Sequence, residues 1–570
     1  MKMYPNLTGA PQTVTYKDLL LQKLSYAVIS SVLSQFIILQ LYVFFANISV
    51  LHPMEWLLAA LHTMTSANTR VFIIPFITII FAQSITCAKD YKMKPSYSST
   101  RFQKFLAAFS VHNFVLLLLH VGVGAMLIWL YLSISRSPYE NLTELCMGQV
   151  YCLNEGSFFL ILSGLWIGLY YFVKICMAEK NLAFPVIHQR KFLQLKSQLM
   201  PLIKESVIQS FWPCIVFISF YYFYGFTLKT TFKTMFGLID YEVQSNIFIY
   251  FRLWFFGTLY YTNMSLMRFY FNLFLTEPVQ FPLVKHPSNS LTLQESITNS
   301  EWPIVQNLAC LDLYLLAQWS PIRRQVLFSI SVPGGHPHNW NLLVENILKL
   351  FSEYTQLLNK TIDLPEKQMK PQVIQAPLIQ RPDRFRNLRN MALVDHDNYN
   401  YDVDVSKSPV AEFSFPNRIF LNVCTRITAT WNVIKVVTGI NFMFGELPQA
   451  NIRKCLANGN LIIWTSQGIA ELVTTSLEED KFGVVQKDLP AIITSLVSLK
   501  QSLDKLNKVP ALTRKMVGYD NFNCKMKGAV TAAVKRSLFN VCKCFAGYLK
   551  DVPLSKEVFS YLETHVICRS

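Results

Sequence analysis

The chain is 570 residues long, 52% hydrophobic but only 15% charged, with 43 phenylalanines and a formal net charge of +17. Soluble domains carry roughly 25% charged residues, so this balance excludes an ordinary cytosolic protein and points to a membrane protein whose basic excess faces anionic headgroups. The length calls for two or more structural units, and no RRM signature, zinc-finger spacing or Arg-rich run turns the charge toward nucleic acid.

In chain order, the first 16 residues are mostly polar, and the apolar run after them is too long for the h-region of a cleavable signal. A helix needs about 20 apolar residues to cross a bilayer core. Six stretches predict spans: Tyr26–Phe45, Val71–Ala88, Leu106–Leu132, Ser157–Met177, Phe211–Leu228 and Ile247–Tyr270. The second is the shortest and contains Pro75, and none of the six holds Asp or Glu.

Lys and Arg crowd alternate connections, which orients the spans. One connection carries Lys89, Lys92, Lys94, Arg101 and Lys104 against Asp90. Another carries Lys180, Arg190, Lys191, Lys196 and Lys204 against Glu179 and Glu205. Residues 134–156 instead hold Arg136 against Glu140, Glu144 and Glu155. The asymmetry predicts cytosolic basic loops, a lumenal 134–156 loop and, with an even number of spans, both termini in the cytosol. That lumenal loop contains the sequon Asn141-Leu142-Thr143 and the pair Cys146 and Cys152, a candidate disulfide in an oxidising compartment. The twelve cysteines otherwise show no C-x-x-C and no zinc spacing.

The candidates for relay or transport chemistry inside the spans are His112, His120, Arg252 and Arg268. The arginines lie near the ends of the sixth span, where they can snorkel, and His120 reads as a packed helix contact rather than a relay. Gly164 and Gly168 form a G-x-x-x-G that permits close helix approach. Tyr221, Tyr222, Tyr224, Tyr250 and Trp254 read as interfacial anchors. The membrane half, 1–275, therefore looks like a tether.

Helical periodicity resumes beyond it. Residues 276–362 read as a first cytosolic helical lobe, 363–417 as a Pro-rich polar linker, and 418–570 as a second helical lobe. The first lobe contains "SPIRRQVLFSISVPGGHPHNW" at 320–340, which resembles an active-site loop. No nucleophile constellation accompanies it, His336 and His338 lack companion ligands, and no Lys-Ser/Thr follows the glycines. What remains is architecture: a turn at Pro333, Gly334 and Gly335, with Asn339 as an N-cap for the next helix.

In the second lobe Leu489, Ile492, Leu496, Leu499, Leu503 and Leu506 follow spacings of 3, 4, 3, 4 and 3, a narrow helical stripe with Asp488 at its N-cap and Pro490 in its first turn. It is either a packing seam of an α-helical bundle, the favoured reading, or a docking face for a partner helix. Val530, Val534, Leu538, Val541 and Phe545 share a face near Lys527, Lys535, Arg536 and Lys543, as a bundle helix or as a basic amphipathic helix on lipid. The fold class expected is all-α, a polytopic membrane protein of six transmembrane helices followed by a cytosolic α-helical domain. A six-span channel or transporter with a cytosolic regulatory domain is the alternative, and spans without acidic residues argue against it.

"QWSPIRRQVLFSISVPGGHPHNW" and "LIIWTSQGIAELVTTSLEEDKFGVVQKDLPAIITSLVSLKQSLDKL" resemble the two hallmark cytosolic segments of the Ndc-type transmembrane nucleoporins. The resemblance implies a structural, non-enzymatic constituent of the nuclear pore complex, without cofactor or metal, held in the nuclear envelope where its two membranes join. It further implies a role in pore assembly and in tethering inner-ring nucleoporins. The implied partners are pore-membrane lipids, the WD-repeat nucleoporin ALADIN and the small RRM-like inner-ring nucleoporin.

Overall fold

The structure is a computed structural model describing residues 16–46, 52–92, 100–108, 110–134, 139–145, 151–177, 184, 190–241, 247–284, 292–330, 335–363, 450–507 and 521–565. The N-terminal half comprises α1 (Tyr16–Ala46), α2 (Pro53–Thr65), α3 (Ala67–Lys92), α4 (Arg101–Ala108), α5 (Val111–Ile134), α6 (Glu155–Met177), α7 (Lys191–Phe236) and α8 (Phe248–Leu275). Among the described residues, four helical stretches are long and apolar enough to cross a membrane: Lys17–Phe45, Val111–Ile134, Glu155–Lys174 and Lys191–Phe236. The apolar part of α3, Ile73–Ala88, is shorter. In α8, Tyr, Asn, Thr and Arg residues dilute the apolar ones.

The packing explains why α8 tolerates that dilution. Half of its 28 residues are buried, and it packs against α1, α6 and α7, so protein rather than solvent or lipid surrounds much of it. Lys23 Nζ on α1 donates to the Phe274 and Glu277 carbonyls, at 3.1 and 2.8 Å, at the far end of α8 from Phe256, which meets Tyr42. The two helices are therefore antiparallel. Tyr42 also donates to the Tyr131 carbonyl of α5. At the same end Lys229 of α7 pairs with Glu155 at the start of α6, at 2.8 Å. At the opposite end Lys191 opens α7 and pairs with Glu277 just beyond α8, also at 2.8 Å. With α3 returning through α2, the helices α1, α3, α5, α6, α7 and α8 run alternately between two ends of one bundle.

Glycine makes the tightest of these contacts. A Cβ on Gly168 would lie 2.4 Å from the His120 carbonyl oxygen, and one on Gly164 would lie 2.5 Å from that of Gly124. The G-x-x-x-G of α6 is thus seated directly on the α5 backbone, the geometry small residues exist to permit.

The end carrying the α5–α6 connection holds a small sheet that the all-α expectation did not include. Its strands are β1 (Thr143–Leu145), β2 (Tyr151–Asn154) and β3 (Ile239–Tyr241), in the order β1-β2-β3. β1 and β2 are antiparallel, with Glu144 opposite Cys152; β2 and β3 are parallel, with Cys152 opposite Ile239. Strands of three or four residues leave no readable alternation, which is why the pattern missed them.

The C-terminal half comprises α9 (Leu293–Thr298), α10 (Pro303–Trp319), α11 (Pro321–Phe328), α12 (His338–Asp363), α13 (Ala450–Ala457), α14 (Gly459–Glu479), α15 (Leu489–Asn507), α16 (Asn521–Cys544) and α17 (Lys556–His565). α10 packs on α14, α12 on α15, and α16 on both α14 and α15. Helices on the two sides of the expected linker thus share one apolar core, which is continuous with that of the bundle. The linker at 363–417 lies outside the described residues apart from Asp363, which ends α12, and so does the expected start of the second lobe at 418.

Candidate functional site

The described residues of the stretch at 320–340, namely 320–330 and 335–340, sit where the bundle, the first C-terminal helices and the later ones converge. Ser320 and Pro321 break the chain between α10 and α11, proline at the first helical position being suited to that role. Adjacent residues on a helix point about 100° apart, so the two arginines reach different elements. Arg323 makes a bidentate pair with Asp312 of α10, both bonds at 2.8 Å, and donates to the Phe281 carbonyl at 2.7 Å. Asp312, 2% exposed, also accepts the Phe281 N–H at 2.9 Å. The segment leaving α8 is thereby fixed to α10 and α11.

Arg324 turns the other way. Its Nε and Nη2 donate to the Glu479 carboxylate at 2.8 and 2.6 Å, at the last residue of α14, while Nη1 donates to the Ala317 carbonyl. The Glu479 hydrogen bonds hold the guanidinium above its ordinary range, and Arg324 in turn holds the Glu479 carboxyl below the usual carboxylate value. Trp340, fully buried, packs at 5.7 Å from Phe328 and donates Nε1–H to Asp488, at 3.0 Å. Asp488 does precede α15 and accepts the Ile492 N–H through its backbone carbonyl, but its carboxylate serves Trp340.

The same region carries corrections and placements. Asn339 is not the N-cap: α12 begins at His338, and the Pro337 carbonyl accepts the Asn341 N–H. The proline preceding the helix, not the asparagine within it, marks the boundary. Pro333 and Gly334 lie outside the described residues, and Gly335 is half-buried. His336 and His338 are exposed, and no cluster of three or more metal-ligating side chains occurs among the described residues.

The leucine stripe is buried within the chain: Leu489, Ile492, Leu496, Leu499, Leu503 and Leu506 are all at most 3% exposed. Val530, Val534, Leu538, Val541 and Phe545 are buried likewise, while Lys535, Arg536 and Lys543 point to solvent. Cys152, buried in β2, is disulfide-bonded; Cys146 lies outside the described residues. Asn141 is exposed beside the sheet.

Inside the bundle His120 belongs to a network that spacing could not reveal. Gln83 of α3 contacts its Nδ1 at 2.7 Å, and Tyr260 of α8 contacts the same nitrogen at 3.1 Å while donating to the His120 carbonyl at 3.2 Å. Arg252 and Arg268 sit over the rings of Tyr139 and Tyr171. The His120 network joins α3, α5 and α8.

A family model described as "Nucleoporin protein Ndc1-Nup" matches residues 18–563. The chain belongs to this family. Curated relatives include the human Nucleoporin NDC1, 24% identical over 95% of this chain and 96% of its own length. The Drosophila melanogaster Nucleoporin Ndc1 is 26% identical, over 94% and 95%, and the Xenopus laevis Nucleoporin NDC1 25% identical, over 91% and 94%. An Ndc1-Nup chain with membrane-capable helices is a membrane nucleoporin, a structural pore component rather than an enzyme.

Proposed function

We propose that the chain anchors the nuclear pore complex in its membrane through six spans, and that its C-terminal helices form a cytosolic scaffold needed for pore assembly and for tethering inner-ring nucleoporins. The observation that carries this reading is the alternation of six bundle helices between two ends, with the C-terminal helices fixed to the end where α8 finishes. α3 and α8 count as spans because neighbours shield their polar groups, and polar side chains inside a bundle are tolerated where they pair with one another.

The basic connections fall at the end of the C-terminal helices, which supports a cytosolic placement of that end and of both termini. The exposed Asn141 and the bonded Cys152 lie at the other end, as a lumenal face requires, and Cys146 is the proposed partner of Cys152. An ALADIN-type WD-repeat protein and the small RRM-like inner-ring nucleoporin are the proposed partners on family grounds. The buried leucine stripe supports a seam that packs the scaffold, which leaves partners to its outer surface.

Protease applied to sealed, cytosol-side-out membranes is expected to digest the C-terminal helices and spare 134–156; protection of those helices would reverse the orientation. A chain ending at Leu275 is expected to insert yet fail to support pore assembly in cells depleted of the full protein. Rescue by that truncation would remove the scaffold from the function.

A further inference from the structure

The helix α2 has no place in a scheme of spans and short loops. Its 13 residues extend about 20 Å at 1.5 Å per residue, short of the roughly 30 Å of a bilayer core. It nevertheless presents Met54, Leu57, Leu58 and Leu61 to the outside at 71, 42, 64 and 51% exposure. These positions are i, i+3, i+4 and i+7, one continuous stripe along the helix. The opposite face packs inward: Ala60 is 1% exposed, and Trp56 donates Nε1–H to the Phe44 carbonyl at 2.7 Å against the Phe44 ring. The third sector is polar, since Glu55 and His62, both exposed, lie on one face two turns apart and roughly 90° from the stripe.

A helix with one packed face, one exposed apolar face and a polar edge between them fits a boundary between three media. Its position agrees. α2 follows the end of α1 at which Tyr42 meets Tyr131 and Phe256, the end that also carries the sheet. The flanking turns of the helices it joins also expose apolar residues, Leu41 and Phe45 on α1 and Val71 and Ile74 on α3, all more than half exposed. In a protein whose α1 and α3 sides face acyl chains, water against this stripe would leave one apolar surface half wet.

We propose that α2 is an interfacial helix, lying in the plane of the leaflet opposite the C-terminal helices with Met54, Leu57, Leu58 and Leu61 inserted among the acyl chains and with Glu55 and His62 at the headgroup edge. Such helices sit about 5–10 Å into the headgroup and acyl boundary. The helix contains no Lys or Arg, so its insertion rests on apolar burial and is indifferent to anionic lipid. A wedge fixed to one leaflet by two spans expands that leaflet alone, so the anchor shapes the membrane it crosses. This inference rests on the membrane placement proposed above.

The test is spin labelling of the full-length protein in phosphatidylcholine vesicles, with labelling-competent thiols replaced by serine and one new cysteine at a time at positions 54, 55, 58, 61 and 62. Leu118, 56% exposed on α5, serves as the control for the spans. Labels at 54, 58 and 61 are expected to collide with oxygen rather than with a nickel chelate, at shallower depth than position 118. Labels at 55 and 62 should show the reverse preference, and added phosphatidylserine should change neither. Nickel access at 54, 58 and 61 with a lipid-exposed Leu118 overturns the inference and leaves the spans intact. Shielding of those three from both reagents also overturns it, because protein rather than lipid then covers the stripe. Nickel access at position 118 overturns the membrane placement itself, and the interfacial helix with it.

Discussion

Replacing Arg324 by Met is the sharpest probe of the convergence of helices at 320–340. The substitution keeps the length of the aliphatic stem but strips two hydrogen bonds from Glu479 and one from the Ala317 carbonyl. Breaking a buried ion pair by removing one partner costs about 3–5 kcal/mol, because the other charge is left without compensation. The Glu479 side chain keeps 23% of its surface in solvent and Arg324 only 9%, so water recovers part of that, and about 2–3 kcal/mol is the expected loss. For a cooperative unit of 150–250 residues this lowers the melting temperature by about 4–12 °C. Detergent-solubilised full-length protein, followed by circular dichroism or by loss of monodisperse elution on heating, gives the readout. Arg324→Met with Glu479→Leu removes both charges and should restore most of the loss, as apolar replacements of buried pairs do. Because the Glu479 pKa is depressed in the fold, the pair's contribution is fully present above the unfolded carboxylate value and fades as pH falls through the folded one. The advantage of the native chain over Arg324→Met should therefore shrink in acid. A single variant as stable as the native chain at neutral pH, or a double variant worse than the single, would refute the reasoning.

Gly168→Val should disrupt the bundle by more than the about 1–3 kcal/mol typical of overpacking, because its Cβ meets backbone of α5 and only helix separation can relieve it; Gly122→Ala, with nothing within 4 Å, is the neutral control, and thermal stability in detergent separates the two. Leu496→Ala and Leu503→Ala, both at fully buried positions, should each cost about 2–5 kcal/mol, with melting temperature and helical signal falling together. Gln83→Leu should cost about 1–3 kcal/mol by taking from buried His120 one of its two side-chain partners, and Gln83→Leu with His120→Leu should cost less than the two single changes added, as a double-mutant cycle would measure. Cys152 should resist a maleimide in denatured, unreduced protein and react after reduction; reaction without reductant would remove the bond.

What the sequence made legible was decided by range. Long apolar runs and a 3-4 stripe are local signals, and they led correctly to helices at α1, α3, α5, α6, α7 and α8 and to the helix bearing Leu489 through Leu506. The paired arginine, the two histidines and the Gly-Gly turn marked 320–340 as unusual, yet what the arginines do lies in Asp312 and Glu479. Glu479 is 155 residues from Arg324, and no spacing rule reaches so far. His120 appeared solitary for the same reason, its partners Gln83 and Tyr260 being 37 and 140 residues away. The third predicted span began at Leu106, but α4 ends at Ala108 and α5 starts at Val111, a break that hydropathy alone smooths over. α2 escaped notice because a search for spans discards apolar segments shorter than the bilayer.

Residues 276–284, which follow α8, are held by both halves of the structure. Lys23 of α1 holds the Glu277 carbonyl, Asp312 and Arg323 hold both polar groups of the Phe281 backbone, and Gln294 donates to the Leu283 carbonyl. Leu293 N–H then returns to the Pro282 carbonyl. Chain that leaves a helix is ordinarily free to swing, but the backbone groups of these residues are taken in turn by the bundle and by α9, α10 and α11. α10 and α11 are therefore tied through Asp312 and Arg323 to the chain that leaves α8, and that chain is tied through Lys23 to α1. α8 can carry polar residues because its neighbours cover half of it, and one that pairs, Tyr260 with His120, joins it to α5.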